Sequence, residues 1–204
     1  MSIEIKAVIF DLYGTLIYNH DTNPYGRLFV QLGLSPDEMR LAKRIAMTED
    51  FTDLTELVSR IKPGAKIIDL TSYEQEVAAG ISSARTFPET YEVLEALQKR
   101  DLQIGLISNL ASPYKKSFFD LGLEKYFAST IFSCEVGLRK PDPKIYERAM
   151  QDLKLEPAQA FMVGDTLHSD VEGPISMGMK AILIDRSNKY TFSIQSLTGI
   201  FRYL

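Results

Sequence analysis

The chain has 204 residues, 45% hydrophobic and 25% charged, enough to bury a sizeable core in one large domain or in a core with a smaller insert. A net charge of -4 at pH 7, with no run of Lys or Arg, gives no footing for nucleic acid or for an anionic membrane surface. Cys134 is the only cysteine, which excludes an internal disulfide and a cysteine-built metal cluster, and with no leader pattern and no apolar stretch of transmembrane length the expected location is cytoplasmic.

The first element is the apolar run Ala7-Val8-Ile9-Phe10, which ends on Asp11. An unbroken Val/Ile/Phe run suits a strand buried on both faces, as in a parallel sheet, and such sheets bind ligands at the carboxyl ends of their strands. Gly14 permits a tight excursion just beyond Asp11, and the Thr15 hydroxyl is placed to hydrogen-bond the Asp11 carboxylate. The plain alternative is an Asp that caps a turn. Between Tyr18 and Thr86 no strand is predicted, only amphipathic helices over Pro24–Leu32, from Ser35-Pro36-Asp37-Glu38 through Ala46, over Leu54–Ile61 and over Tyr73–Ala84. The stop signal Lys62-Pro63-Gly64 closes the third of these.

After this stretch, strand-like and helix-like segments alternate. A helix opening at Pro88 leads to the strand 102–107, which ends on Ser108-Asn109; a helix over 113–121 precedes a short strand at 130–132. The turn-rich 137–143 loop contains Lys140-Pro141, and the helix after it carries Ile145, Tyr146, Ala149 and Leu153. The strand 160–163 ends on Gly164-Asp165, and the strand 181–184 ends on Asp185. The predicted fold is therefore α/β: a Rossmann-like parallel sheet core, residues 1–17 and 87–204, with helices on both faces, and a small all-α insert at 18–86. Asp11, Ser108, Asp165 and Asp185 each follow a strand directly, so the parallel-sheet rule brings them to one edge.

Asp11-x-x-Gly14-Thr15, Ser108-Asn109, Lys140-Pro141, and Gly164-Asp165 followed by Asp170 stand in the order and context of the four motifs of haloacid dehalogenase-like hydrolases, and the chain resembles that superfamily over nearly its whole length. The resemblance implies that the 18–86 insert is a helical cap of the kind that follows the nucleophile loop.

The chemistry can be reasoned from the residues themselves. Asp11 would attack an electrophilic phosphorus or carbon and split one displacement into two through a covalent aspartyl intermediate. A carboxylate approaching a phosphate dianion needs its repulsion cancelled. Lys140 supplies one positive charge, and a Mg²⁺ ion held by Asp11, Asp165 and the Tyr13 main-chain carbonyl, with Asp170 directly or through water, would supply two more. Ser108 and Asn109 are donors for the non-bridging oxygens of the transferred group. The expected substrate is a small molecule, and the expected assembly a monomer or homodimer.

The chain departs from the family pattern at Tyr13. Phosphatases of this superfamily carry a second Asp two residues after the nucleophile, as acid to the leaving group and base to the attacking water. A phenol, with a pKa of about 10, donates a proton but is a poor base at neutral pH. Asp11-x-Tyr13-Gly14-Thr15 instead resembles the first motif of the 2-haloacid dehalogenases, as does Tyr146. That reading needs a cationic cap residue for the substrate carboxylate, with Arg40 and Arg44 as candidates. The Gly164-Asp165 to Asp170 segment is the metal-binding form of the fourth motif and favours a Mg²⁺-dependent phosphatase-like hydrolase. A third reading is a weakly active or inactive relative that binds a metabolite or a partner. His20 is read as a surface loop residue, and His168, between the two fourth-motif acids, as a supporting or exposed residue rather than a catalytic one.

Overall fold

A computed structural model of the chain describes residues 3–20, 22–65 and 69–204; residues 1–2 of the expected core, and 21 and 66–68 of the expected insert, lie outside the described residues. The chain begins with β1 (Ala7–Phe10) and β2 (Ile17–Tyr18). Four helices follow: α1 (Pro24–Gln31), α2 (Pro36–Thr48), α3 (Leu54–Ile61) and α4 (Thr71–Ser82). Next come β3 (Arg85–Thr86), α5 (Thr90–Gln98), β4 (Gln103–Ser108), α6 (Lys115–Asp120), β5 (Ser129–Phe132) and α7 (Ser133–Val136). The chain continues through α8 (Pro143–Leu153), β6 (Ala160–Gly164), α9 (Gly173–Ser176), β7 (Lys180–Ile184) and β8 (Ser193–Ile194).

Six strands form one parallel sheet in the order β5-β4-β1-β6-β7-β8. The chain steps outward from β1 through β4 to β5, then returns to β6 on the other side, so the sheet's switch point adjoins β1 and opens a crevice at its carboxyl end. Phe10 is in register with both Leu106 and Val163, and Asp11 leaves the sheet between β4 and β6. Side chains alternate across β1. Val8 and Phe10 join Val93, Leu94 and Leu97 of α5 in one apolar cluster, while Ala7 and Ile9 join Ile145, Tyr146, Ala149 and Leu153 of α8 in another, so helices cover both faces.

The helical segment holds Leu28, Phe29, Ala42, Ile45, Leu57 and Val77 in its interior, and these belong to the same apolar cluster as Phe10 and α5. Ser35 begins α2 with a full capping box to Glu38, as the Ser-Pro-Asp-Glu run predicts. One expectation fails here. Tyr18 and Arg85–Thr86 are not strandless: β2 and β3 pair antiparallel at the two ends of the helical segment. Two-residue strands carry too little pattern to be read from sequence, and only their closeness in space creates them. The short edge strand β8 is a second element the sequence does not announce. No described helix is long and apolar enough to cross a membrane.

Candidate active site

Asp11 is pinned at the end of β1, where its backbone N–H donates to the Val163 carbonyl at 2.9 Å. Gly14, at φ +83°, then turns the chain sharply back toward Leu12. A Cβ at Gly14 would overlap Asp165 Oδ2, so glycine is what allows the first loop and the β6 loop to meet. Likewise a Cβ on Gly164 would overlap the Asp170 carboxyl.

Lys140 is the hub of the site. Its ammonium donates to Asp11 Oδ1 at 2.7 Å and to Asp170 Oδ1 at 2.6 Å, and all three side chains are buried. Asp170 is further held by the Thr166 N–H, which donates to its Oδ2 at 2.9 Å. It stands on a π-helical turn, Leu167–Glu172, whose backbone is fastened by Tyr146: the phenol donates to the Ser169 carbonyl at 2.5 Å. Burial and the nearby Asp170 charge push that phenol's pKa up, so it remains a neutral donor. Asp165 is the exposed member of the group, its Oδ1 accepting from the Thr166 hydroxyl at 3.3 Å.

Asp11, Asp165 and Asp170 can each offer an oxygen within 4.8 Å of the others. That cluster has an electrostatic signature. Burial pushes the Asp11 carboxyl up to about 7; Lys140 opposes the shift, and Asp170 adds to it. Asp165, exposed at the rim, is raised by partial desolvation of its carboxyl and by Asp170. Burial works against the charge on Lys140, but Asp11 and Asp170 together hold its pKa above the usual lysine range. Three carboxylates sharing one ammonium leave a net negative pocket, and their all-oxygen donor set fits a hard divalent cation.

A cavity of about 200 Å³ at the sheet edge is lined by Asp11, Ser108, Lys140, Asp165 and Asp170, with Tyr13, Asn109, Thr166 and Ser169 completing its wall. The structure thus collects nearly every predicted site residue in one place, but it changes the part of three of them. Thr15 does not hold Asp11: its hydroxyl is buried without a hydrogen-bond partner, because the turn at Gly14 directs it into the core. The Asn109 side chain clamps the lysine loop, donating to the Lys140 carbonyl and accepting from the Lys140 N–H, both at 2.8 Å. The Tyr13 phenol donates to Ser117 Oγ at 2.8 Å and reaches the Tyr114 carbonyl at 3.2 Å, so its hydroxyl is engaged away from Asp11.

Asp185 also leaves the constellation. Its carboxylate accepts from Ser187 and from the Lys189 and Tyr190 N–H groups, closing its own loop. Arg40 pairs with Asp37, Arg44 faces a separate cleft beside the 137–142 loop, and His168 pairs with Glu172 on the surface. His20 is exposed. Sequence reasoning missed Arg186, which donates to Glu89 and to the Thr15 carbonyl at 2.9 Å and lies over the Phe87 ring, bracing the turn behind Asp11. An arginine next to a strand-ending acid was the available signal. Ser117 carried no signal in the sequence.

Comparison with known proteins gives a consistent answer. A family model described as haloacid dehalogenase-like hydrolase matches residues 5–178. Among curated relatives, a glyceraldehyde 3-phosphate phosphatase of Methanothermobacter thermautotrophicus is 28% identical, covering 89% of this chain and 86% of its own. Pyrophosphatase PpaX of Oceanobacillus iheyensis is 27% identical, over 84% of this chain and 79% of its own. A crystal structure of a HAD phosphatase from Thermococcus onnurineus superposes with a TM-score of 0.68 at 28% identity, covering 98% of this chain and 97% of that one.

Proposed function

We propose a reaction for a chain that belongs to the haloacid dehalogenase-like hydrolases: Mg²⁺-dependent hydrolysis of a small phosphomonoester, with Asp11 as nucleophile. The observation that carries this reading is the shared ammonium of Lys140 between Asp11 and Asp170, with Asp165 in reach of both. Asp11, Asp165 and the Tyr13 main-chain carbonyl, with Asp170 directly or through water, would hold Mg²⁺, which when bound cancels carboxylate–phosphate repulsion. That the residues fit such an ion is supported by the all-carboxylate donor set and by the Gly14 approach to Asp165.

The chain's own groups do the rest. The free Asp11 oxygen attacks phosphorus, the bond to the ester oxygen breaks, and an aspartyl phosphate and an alkoxide form. Water then attacks the same phosphorus, releasing inorganic phosphate and restoring the carboxylate. Lys140 orients Asp11 and favours its ionised form. Ser108, at the end of β4, faces the transferred group, and Asn109 fixes the loop that presents Lys140. Tyr13 offers no carboxylate to protonate the alkoxide, so turnover depends steeply on the leaving group's basicity.

The 2-haloacid dehalogenase reading rests on Tyr13. Against it, the acidic cluster repels a carboxylate substrate, and neither Arg40 nor Arg44 lines the cavity over Asp11. A panel of phosphomonoesters and short 2-haloacids, each with Mg²⁺ and with EDTA, tests the proposal. Phosphate release that EDTA abolishes is the expected result. Halide release unaffected by EDTA would overturn it, and phosphate binding without turnover on any ester would favour a binding module.

A further inference from the structure

A second cavity, of about 410 Å³, lies between the helical segment and the core and shares Tyr13 and Asn109 with the cavity over Asp11. Aromatic and aliphatic side chains make up most of its walls, with Asn19, Asn23 and Asn109 as polar points among them. Tyr25 and Phe29 come from α1, Met47 from α2, and Tyr114 from the turn before α6. The rings brace one another: Tyr13 meets Tyr114 edge-on at 5.8 Å between centroids, and Tyr25 lies 6.0 Å from Tyr114 and 6.4 Å from Phe29. Such contacts between rings make the walls a preformed surface. Lys43 alone is charged among the described lining residues, and it is exposed on α2.

Building on the phosphatase reading, we infer that this cavity receives the leaving-group portion of the substrate, and that the leaving alcohol carries an apolar ring. Its position is what argues for the leaving group. The transferred phosphoryl sits over Asp11, and the shared wall of Tyr13 and Asn109 is the boundary across which the rest of an ester must extend. Its size and lining decide the class. The volume falls in the range of cavities that enclose ring-sized ligands. A three-carbon polyol would leave the half-buried faces of Tyr25 and Met47 against water, whereas a ring buries them. Enclosing one phenyl ring is worth about 10- to 100-fold in kcat/KM.

The test compares 2-phenylethyl phosphate with ethyl phosphate in the presence of Mg²⁺, because the two alkoxides are of nearly equal basicity and differ only in the ring. A kcat/KM at least about 10-fold higher for the phenylethyl ester is expected. Met47→Trp, which places an indole in the cavity, is expected to shrink that ratio to within about threefold. Calorimetric binding of both esters to Asp11→Asn repeats the comparison without turnover and without altering the cavity. Equal kcat/KM for the two esters, or equal affinities in Asp11→Asn, would overturn the ring assignment while leaving the phosphatase reading intact. A ring preference in binding with no turnover of either ester by the unsubstituted protein would uphold the cavity assignment and overturn the phosphatase reading.

Discussion

Asp11 pairs a carboxyl pKa of about 7 with a position in contact with Lys140 and within reach of two further carboxylates, and its titration can be tested in two ways. A divalent ion must displace the proton, so apparent Mg²⁺ affinity is expected to rise with pH up to about 7 and level off above it, as calorimetry in buffers of different ionisation enthalpy would show. Stability runs in the opposite direction. Between the ordinary carboxylate pKa of 3.8 and about 7 the folded chain binds more protons at Asp11 than the unfolded chain, so this group's contribution is full below that window and is lost as pH rises through it. In EDTA, the melting temperature of Asp11→Asn minus that of the unsubstituted protein should therefore grow from pH 4 to pH 7; a flat difference would contradict the raised pKa. Tyr13 separates chemistry from tethering. Tyr13→Asp is expected to raise turnover of alkyl phosphates by about 10²-fold, supplying the missing acid-base group. Tyr13→Phe is expected to cost only about 0.5–1.5 kcal/mol through loss of the Ser117 hydrogen bond, read in denaturant melts, with turnover little changed.

The loops that leave β1, β4 and β6 form the site because each ends a strand at the same sheet edge. This part was legible in the sequence: hydrophobic runs stopping on Asp11, Ser108 and Asp165 place their carboxyl ends together in any parallel sheet. What the loops do to one another was not legible. The turn at Gly14 sends the Thr15 hydroxyl inward, and the Asn109 clamp on Lys140 spans a sequence separation that no local pattern reports. Gly14→Ala tests the first loop. The added Cβ meets Asp165 and the left-handed backbone disfavours it, so a loss of about 1–2 kcal/mol in denaturant melts is expected together with weakened Mg²⁺ binding. Unchanged Mg²⁺ affinity in that variant would mean that Asp165 does not take part. Asn109→Ala tests the clamp, with an expected cost of about 1–3 kcal/mol and a fall in kcat larger than any rise in KM.

Across the whole molecule, the helical segment and the sheet share one apolar cluster, and a chain of hydroxyls links them: Tyr13 donates to Ser117, which donates to the Ile81 carbonyl on α4 at 3.4 Å. The helical periodicities and the Ser35 capping box made the segment readable in advance. Its closing strands β2 and β3 and the Arg186 brace were not, since each arises from residues brought together only by the fold. The arrangement puts Asp11, the proposed nucleophile, at the meeting point of sheet edge, lysine loop and cavity. The most direct test is rapid acid quench of the protein turning over a phosphomonoester with Mg²⁺, followed by mass spectrometry of the peptide bearing Asp11. A single phosphoryl group on Asp11, absent from an Asp11→Asn protein that no longer releases phosphate, is the predicted result. Phosphate release that persists in Asp11→Asn, or a phosphoryl group trapped on any other residue, would contradict it.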